Sequence, residues 1–141
     1  YRGLTDFSKC KTIQRMSEYW GLDKLKAKMH VQFTGEVLNM HIDKLYDLDD
    51  DPNNVIRIMI MLDDWQPGQF LIYGNQMFDR WESGHIHYFD WQNLPHATAN
   101  ASLYPRPMLV LTGVMTDRTR ELIKVQSNHY LILSNNYDKV P

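Results

Sequence analysis

The sequence predicts a mainly β fold, an antiparallel sandwich or jelly roll that follows a short helical segment. After Met29 the spacing of apolar residues changes from every three or four positions to every second position, which is the period of a strand. About eight short apolar segments follow, separated by turn signals roughly every 8–12 residues. Helical patterns do not alternate with these segments, so a parallel α/β sheet is not expected.

The N-terminal region, residues 1–29, is predicted to be a helical lead-in. Cys10, Ile13, Met16 and Trp20 recur at helical spacing over residues 9–20, and Gly21 provides a stop signal. A second, weaker helical turn is predicted over residues 23–29.

The remaining chain is predicted to form a jelly-roll core over residues 30–114 and a C-terminal extension over residues 115–141. The predicted strands cover residues 31–33, 37–43, 55–62, 70–73, 77–81, 85–89, 96–101 and 107–114. Segment 55–62 is apolar almost throughout, which is typical of a strand buried on both faces. A helix over residues 117–125 and a last strand over residues 130–133 complete a single domain spanning 1–141.

Composition and charge argue against several classes of partner. The formal charge is −2 and the basic residues are scattered, so neither nucleic acid nor a membrane surface is an expected partner. No apolar run reaches the ~18 residues of a membrane span. Cys10 is the only cysteine, which excludes an intramolecular disulfide and favours a reducing, cytoplasmic setting.

His41 and Asp43 form the first half of a candidate metal site. Two residues separated by one on a strand share a face and lie about 6–7 Å apart along the backbone. Residues 38, 40 and 42 on the opposite face are all aliphatic, so the polar face is expected to point inward. A lone inward carboxylate needs a partner, and a metal cation is one. Asn39 shares this face and is a candidate for substrate binding.

His96 and Arg106 supply the second half. His96 follows Pro95, which restricts how the chain enters the next strand, and a third ligand there would complete a set of two histidines and one carboxylate. Arg106 lies between Pro105 and Pro107 at the start of an apolar strand. A guanidinium held in that place is suited to clamp a carboxylate.

The spaced set His41-x-Asp43, His96 and Arg106 resembles the iron(II)- and 2-oxoglutarate-dependent oxygenases, and residues 84–96 look most like the prolyl-hydroxylase branch. The resemblance implies a double-stranded β-helix, a cupin-like jelly roll. It also implies that His41, Asp43 and His96 are the catalytic Fe(II) ligands and that Arg106 binds the distal carboxylate of 2-oxoglutarate. The implied reaction is oxidative decarboxylation of 2-oxoglutarate by O2, coupled to hydroxylation of a small-molecule or peptide substrate.

The chain departs from that family in one respect. A hydroxyl group usually assists the arginine, but neither strand 55–62 nor Pro107 and Met108, directly after Arg106, offer one. Tyr73 is the candidate for this cofactor-binding role. Arg80 is a candidate for binding an anionic substrate.

Three alternatives stay open at this point. His85 and His87 share a strand face and, with His96 and Asp90, are a rival metal set. A cupin-type metalloenzyme would use the first triad without 2-oxoglutarate. In a non-catalytic jelly-roll binding module, the histidines would instead line a pocket.

Overall fold

The computed structural model describes residues 9–126, and the strand predicted over residues 130–133 lies outside them. The helices are α1 (Lys11–Trp20) and α2 (Asp117–Gln126), with a 3-10 turn at Pro52–Asn54. The strands are β1 (Leu22–Gln32), β2 (Val37–His41), β3 (Val55–Met61), β4 (Gln69–Tyr73), β5 (Gln76–Phe78), β6 (Ile86–Tyr88), β7 (His96–Asn100) and β8 (Arg106–Met115). Neither helix in this part of the chain is long and apolar enough to cross a membrane.

The strands form two four-stranded sheets, and every pairing between them is antiparallel. The first sheet has the order β1-β8-β3-β6 and the second has the order β2-β7-β4-β5. Eight strands that cross between two antiparallel sheets in this order form a jelly roll. The predicted fold class, mainly β with a jelly-roll architecture and a short N-terminal helix, is confirmed.

The helical turn predicted over residues 23–29 is wrong, because this segment belongs to β1 and pairs with β8. The register of that pair shifts between Asp23 and Lys26, and Lys24 has a φ of +50°. Such an irregularity breaks the two-residue rhythm that identifies a strand in a sequence. The helical lead-in is therefore α1 alone, and the jelly roll runs from Leu22 to Met115 rather than over residues 30–114. The single-domain assignment of residues 1–141 stays a prediction.

Two clusters of buried residues lie on opposite faces of the first sheet. The helix-side cluster, where the sheet meets α1, consists of Ile13, Trp20, Leu22, Ile56, Ile58, Ile60, Leu109 and Leu111. The interior cluster, between the two sheets, consists of Leu48, Val55, Met59, Met61, Leu71, Tyr73, Trp81, Phe89, Trp91, Leu94, Met108 and Val110. Residues of β3 alternate between the two clusters, so this strand is buried on both faces, as predicted.

Gly21 ends α1 as the sequence predicts, and its conformation explains why a glycine is needed there. Its φ is +63°, and a Cβ added to it would lie 2.8 Å from Cβ of Arg118 and 2.8 Å from Oγ1 of Thr116. The Thr116 hydroxyl donates a hydrogen bond to the Gly21 carbonyl at 2.6 Å. This contact ties the end of α1 to the turn between β8 and α2.

Candidate metal centre

Strand pairing in the second sheet places three of the predicted site residues in one row. His41 on β2 pairs with His96 on β7, and His96 pairs in turn with Tyr73 on β4. Directly paired residues of neighbouring strands point to the same face of a sheet. Asp43 follows β2 by two residues, just beyond the end of the strand. The row and the carboxylate therefore meet at one end of the space between the sheets.

The side chains of His41, Asp43 and His96 converge closely. One potential ligand atom from each lies within 4.8 Å of the other two, and this is the only such group of three or more in residues 9–126. Nε2 of His41 is 3.7 Å from Oδ1 of Asp43, and Nε2 of His96 is 3.7 Å from Oδ2. The two imidazole centroids are 4.2 Å apart. These atoms are near enough to share one ion but too far apart to hydrogen-bond to one another.

Backbone carbonyls determine which ring nitrogen of each histidine carries the hydrogen. Nδ1 of His41 is 2.7 Å from the carbonyl of Asn39, and Nδ1 of His96 is 3.4 Å from that of Leu94. A carbonyl only accepts hydrogen bonds, so Nδ1 is the donor, and a neutral ring keeps its lone pair on Nε2. Burial lowers the pKa of His96 to about 4, with Asp43 opposing the shift, so this ring is neutral at neutral pH. Both Nε2 atoms thus face the carboxylate as metal ligands do.

Arg57 is a site residue that the sequence reasoning missed. Its Nη1 donates a hydrogen bond to Oδ2 of Asp43, and its side chain is only 12% exposed. Asp43 therefore already has one cationic partner, and its burial by itself does not require a metal. The signal was a single charge within the apolar segment 55–62. Its pairing with Asp43 depends on contact between elements that the sequence does not reveal.

Arg106 is buried at the first position of β8, with 4% of its surface exposed. Its Nη1 donates to the carbonyl of Phe70 at 3.3 Å, whereas its Nε has no hydrogen-bond partner. No carboxylate within residues 9–126 lies within 4.0 Å of the guanidinium. Burial lowers the pKa of Arg106 to about 10, which leaves it charged at neutral pH. A buried cation without a counter-ion favours an anionic ligand.

Tyr73 connects the triad to Arg106. Its ring stacks on that of His96 with a centroid distance of 6.2 Å. It also lies close enough to Arg106 that its electrostatic interaction partly offsets the lowering of the Arg106 pKa by burial. The Tyr73 hydroxyl is 2.7 Å from Nε2 of His87 and donates to Sδ of Met59 at 3.2 Å. Burial, followed by the charges of His85 and Arg106, lowers the pKa of His87 to about 3, so the imidazole beside Tyr73 is neutral.

The rival set of His85, His87, His96 and Asp90 does not come together in the described part of the chain. His87 is engaged by the Tyr73 hydroxyl, and the Asp90 carboxylate accepts hydrogen bonds from the backbone and side chain of Asn93. His85 is half-buried against the ring of Phe78, at a centroid distance of 5.2 Å.

The two predicted substrate-binding residues are exposed. The expectation that the Asn39 side chain points inward is wrong: β2 lies at an edge of its sheet, and all of residues 37–40 are exposed. The aliphatic side chains of Leu38, Met40 and Ile42 are likewise at the surface. The guanidinium carbon of Arg80 lies 5.8 Å from the ring centroid of Trp65. A role for either residue in substrate binding stays a prediction.

No protein-family model matches the sequence, and no curated protein shows significant similarity to it. Several solved structures are similar in their coordinates.

One is a cupin 2 conserved barrel domain protein from Salinispora arenicola, with 11% identity, coverage of 72% of this chain and 71% of that chain, and a TM-score of 0.45. A second is a predicted oxalate decarboxylase from Thermotoga maritima, with 10% identity, coverage of 72% and 73%, and a TM-score of 0.47. A third is a non-heme monooxygenase in a nickel complex, with 16% identity, coverage of 67% and 44%, and a TM-score of 0.48. The jelly-roll assignment itself rests on the strand order of this chain.

Proposed function

We propose that this protein is a non-haem iron(II)- and 2-oxoglutarate-dependent dioxygenase. His41, Asp43 and His96 would hold the iron, and Arg106, assisted by Tyr73, would bind the distal carboxylate of 2-oxoglutarate. The observation that carries the proposal is a pair of arrangements: two imidazole nitrogens and a carboxylate oxygen within 4.8 Å of one another, and a buried arginine that has no counter-ion among residues 9–126.

The donor set fits a divalent iron. Two imidazole nitrogens and one carboxylate oxygen are the ligands of facial-triad sites, which leave coordination positions open for substrates. The hydrogen bonds from Nδ1 to the carbonyls of Asn39 and Leu94 hold both rings with Nε2 towards Asp43. Bound iron(II) would supply the redox chemistry that couples decarboxylation of 2-oxoglutarate by O2 to substrate hydroxylation.

The chain's own groups account for binding of the keto acid. The Arg106 guanidinium would neutralise the distal carboxylate in a region from which water is largely excluded, where a charge-assisted hydrogen bond is strong. Its Nε, which has no partner in the described residues, is free to donate to that carboxylate. The nearby Tyr73 side chain would provide the hydroxyl group that is expected to assist the arginine.

The substrate would be a small molecule or a peptide. His41 lies at the end of the exposed edge strand β2, so Asn39 is close to an open approach to the triad. Arg80 is retained as a candidate for an anionic substrate group. The free Cys10 and an oxidisable iron(II) both suit a reducing, cytoplasmic setting.

The proposal is tested by adding iron(II) and 2-oxoglutarate to the protein without oxygen. We expect a weak visible charge-transfer band, and on admission of O2 a slow release of succinate that substrate stimulates. Asp43→Ala and His96→Ala are expected to lose both the band and the succinate. Full succinate release by either variant would defeat the metal assignment.

Two other results would each favour an alternative function. Equal turnover with and without 2-oxoglutarate would identify a metalloenzyme that does not use the keto acid. If the purified protein lacks metal and its melting temperature does not change on addition of iron or manganese with keto acid, a non-catalytic jelly-roll binding module would be favoured instead.

A further inference from the structure

We propose that Arg57 is a positioning residue for Asp43, which holds one carboxylate oxygen so that the other is presented to the metal. We further propose that its charge balances the metal site in favour of a doubly negative keto acid. The proposal rests on the function proposed above and adds a residue to which neither the motif nor the resemblance assigns a role.

Asp43 needs a side-chain support because its backbone is not part of a strand. β2 ends at His41, and residues 42 and 43 have no strand pairing. By contrast, His96 lies within β7, between β2 and β4. The backbone therefore fixes His96 more firmly than it fixes the carboxylate.

Arg57 provides that support from the opposite sheet. It lies in β3, which is flanked by β8 and β6, and it pairs with Thr112. Its neighbours Ile56 and Ile58 belong to the helix-side cluster, so the guanidinium points to the other face, towards the interior. Nη1 then reaches Oδ2 of Asp43 across the space between the sheets.

The contact makes the two oxygens of Asp43 inequivalent. Each oxygen lies 3.7 Å from one imidazole Nε2, Oδ1 from that of His41 and Oδ2 from that of His96. Only Oδ2 also accepts the hydrogen bond from Arg57, and Oδ1 accepts none from the described residues. A carboxylate held in this way offers Oδ1 as a single ligand atom. Without Arg57 both oxygens become available, and the carboxylate can occupy a position that the keto acid needs.

The charge of Arg57 acts in opposite directions on the two ligands. A guanidinium bonded to a metal-binding carboxylate repels the metal cation and lowers the donor strength of that carboxylate. The same positive charge attracts a doubly negative keto acid that binds next to the metal. Removing Arg57 should therefore strengthen metal binding and weaken keto-acid binding. A salt bridge with a purely structural role would weaken both together.

The test uses Mn(II), which binds such sites without oxygen chemistry. Free Mn(II) is counted by electron paramagnetic resonance, and 2-oxoglutarate is then titrated calorimetrically into the Mn(II)-loaded protein. For Arg57→Met we expect Mn(II) affinity to rise about tenfold and 2-oxoglutarate affinity to fall about tenfold or more. Arg120→Met is the matched control, because Arg120 is an exposed arginine whose Nη2 donates to Asn54, and both affinities should match wild type.

Arg57→Lys keeps the charge and loses the planar donor. It is the variant to test if Arg57→Met does not fold. We expect Mn(II) affinity to stay near the wild-type value and 2-oxoglutarate affinity to fall about threefold. Parallel losses of both affinities, or no change in either, would overturn the role of Arg57. Absence of Mn(II) binding in the wild-type protein would instead contradict the proposed function, so the two failures are distinguishable.

Discussion

The two faces of β3 and β8 differ in how completely their side chains are satisfied. On the helix-side face, Ile56, Ile58 and Ile60 belong to an entirely apolar cluster that includes Ile13 and Trp20 of α1. On the interior face the same strands carry Arg57 and Arg106 among methionines and valines. One sheet thus supports an entirely apolar core on one side and, on the other, an apolar cluster together with two arginines.

Buried polar atoms without hydrogen-bond partners distinguish the interior face from the helix-side face. Within residues 9–126, the buried side-chain atoms without a hydrogen-bond partner are Gln32 Oε1, Arg57 Nε, Trp81 Nε1, His87 Nδ1 and Arg106 Nε. Strand alternation and cluster membership assign all five to the interior face. Buried groups of this kind cost stability unless a ligand or water satisfies them, so the interior is the face on which a bound ligand would relieve that cost.

Arg106→Met, on the interior face, is expected to have the largest effect on ligand binding. Loss of a buried charge partner should weaken 2-oxoglutarate binding to the Mn(II)-loaded protein by about 2–5 kcal/mol, roughly 30-fold to several thousandfold. Stability should move the other way, since methionine removes an uncompensated buried charge, and the free energy of unfolding should rise by about 1–4 kcal/mol.

Calorimetric titration and urea unfolding measure these two changes, and Arg106→Lys is the companion that keeps the charge. A variant that binds keto acid as wild type does would show that Arg106 is not its anchor.

The opposite pattern is expected for Ile58→Ala on the helix-side face. Ile58 has no exposed surface, and its truncation should lower the free energy of unfolding by about 2–5 kcal/mol through lost burial and a cavity. Mn(II) and 2-oxoglutarate affinities, measured well below the melting temperature, should stay at wild-type values. Weakened ligand binding in the folded variant would mean that the two faces are not independent.

A smaller effect is expected for the pH dependence of stability in His87→Gln. Burial lowers the pKa of His87 from its ordinary 6.5 to about 3 in the folded state, so its neutral form is favoured by folding. That contribution is complete above pH 6.5 and is lost as the pH falls from 6.5 towards 3, with a slope of about 1.4 kcal/mol per pH unit.

Glutamine does not titrate. Urea unfolding at pH 7, 6 and 5 should therefore show that the free energy of unfolding of the variant falls less steeply with decreasing pH, by the contribution of one proton. The remaining acid sensitivity should include that of His96, whose pKa is lowered to about 4. A variant with the wild-type slope would show that His87 is not buried in its neutral form.

Local patterns in the sequence predicted the features that depend on local geometry. The two-residue spacing of His41 and Asp43, the proline before His96 and the prolines around Arg106 all lie within short segments. The jelly roll followed from strand periodicity, and the close approach of the triad followed once its strands were paired.

Features that depend on contacts between elements were not predictable in the same way. Because the register shifts near Lys24, the start of β1 lacks the two-residue periodicity of a strand, and a weak helix was predicted there. Arg57 reaches Asp43 from the opposite sheet, and Tyr73 joins His96 through pairing between β4 and β7. A sequence read one segment at a time contains no signal for these pairings.

The position of β2 has a consequence for how metal and fold depend on each other. This strand has a single neighbour, β7, among the described residues, and their register slips between Leu38 and His41. A metal ion bound by both His41 and His96 would hold β2 and β7 together at this irregular pairing. Amide hydrogen exchange of residues 37–41 would then slow when metal is added. Removal of the metal with a chelator would open this edge strand before the rest of the jelly roll unfolds.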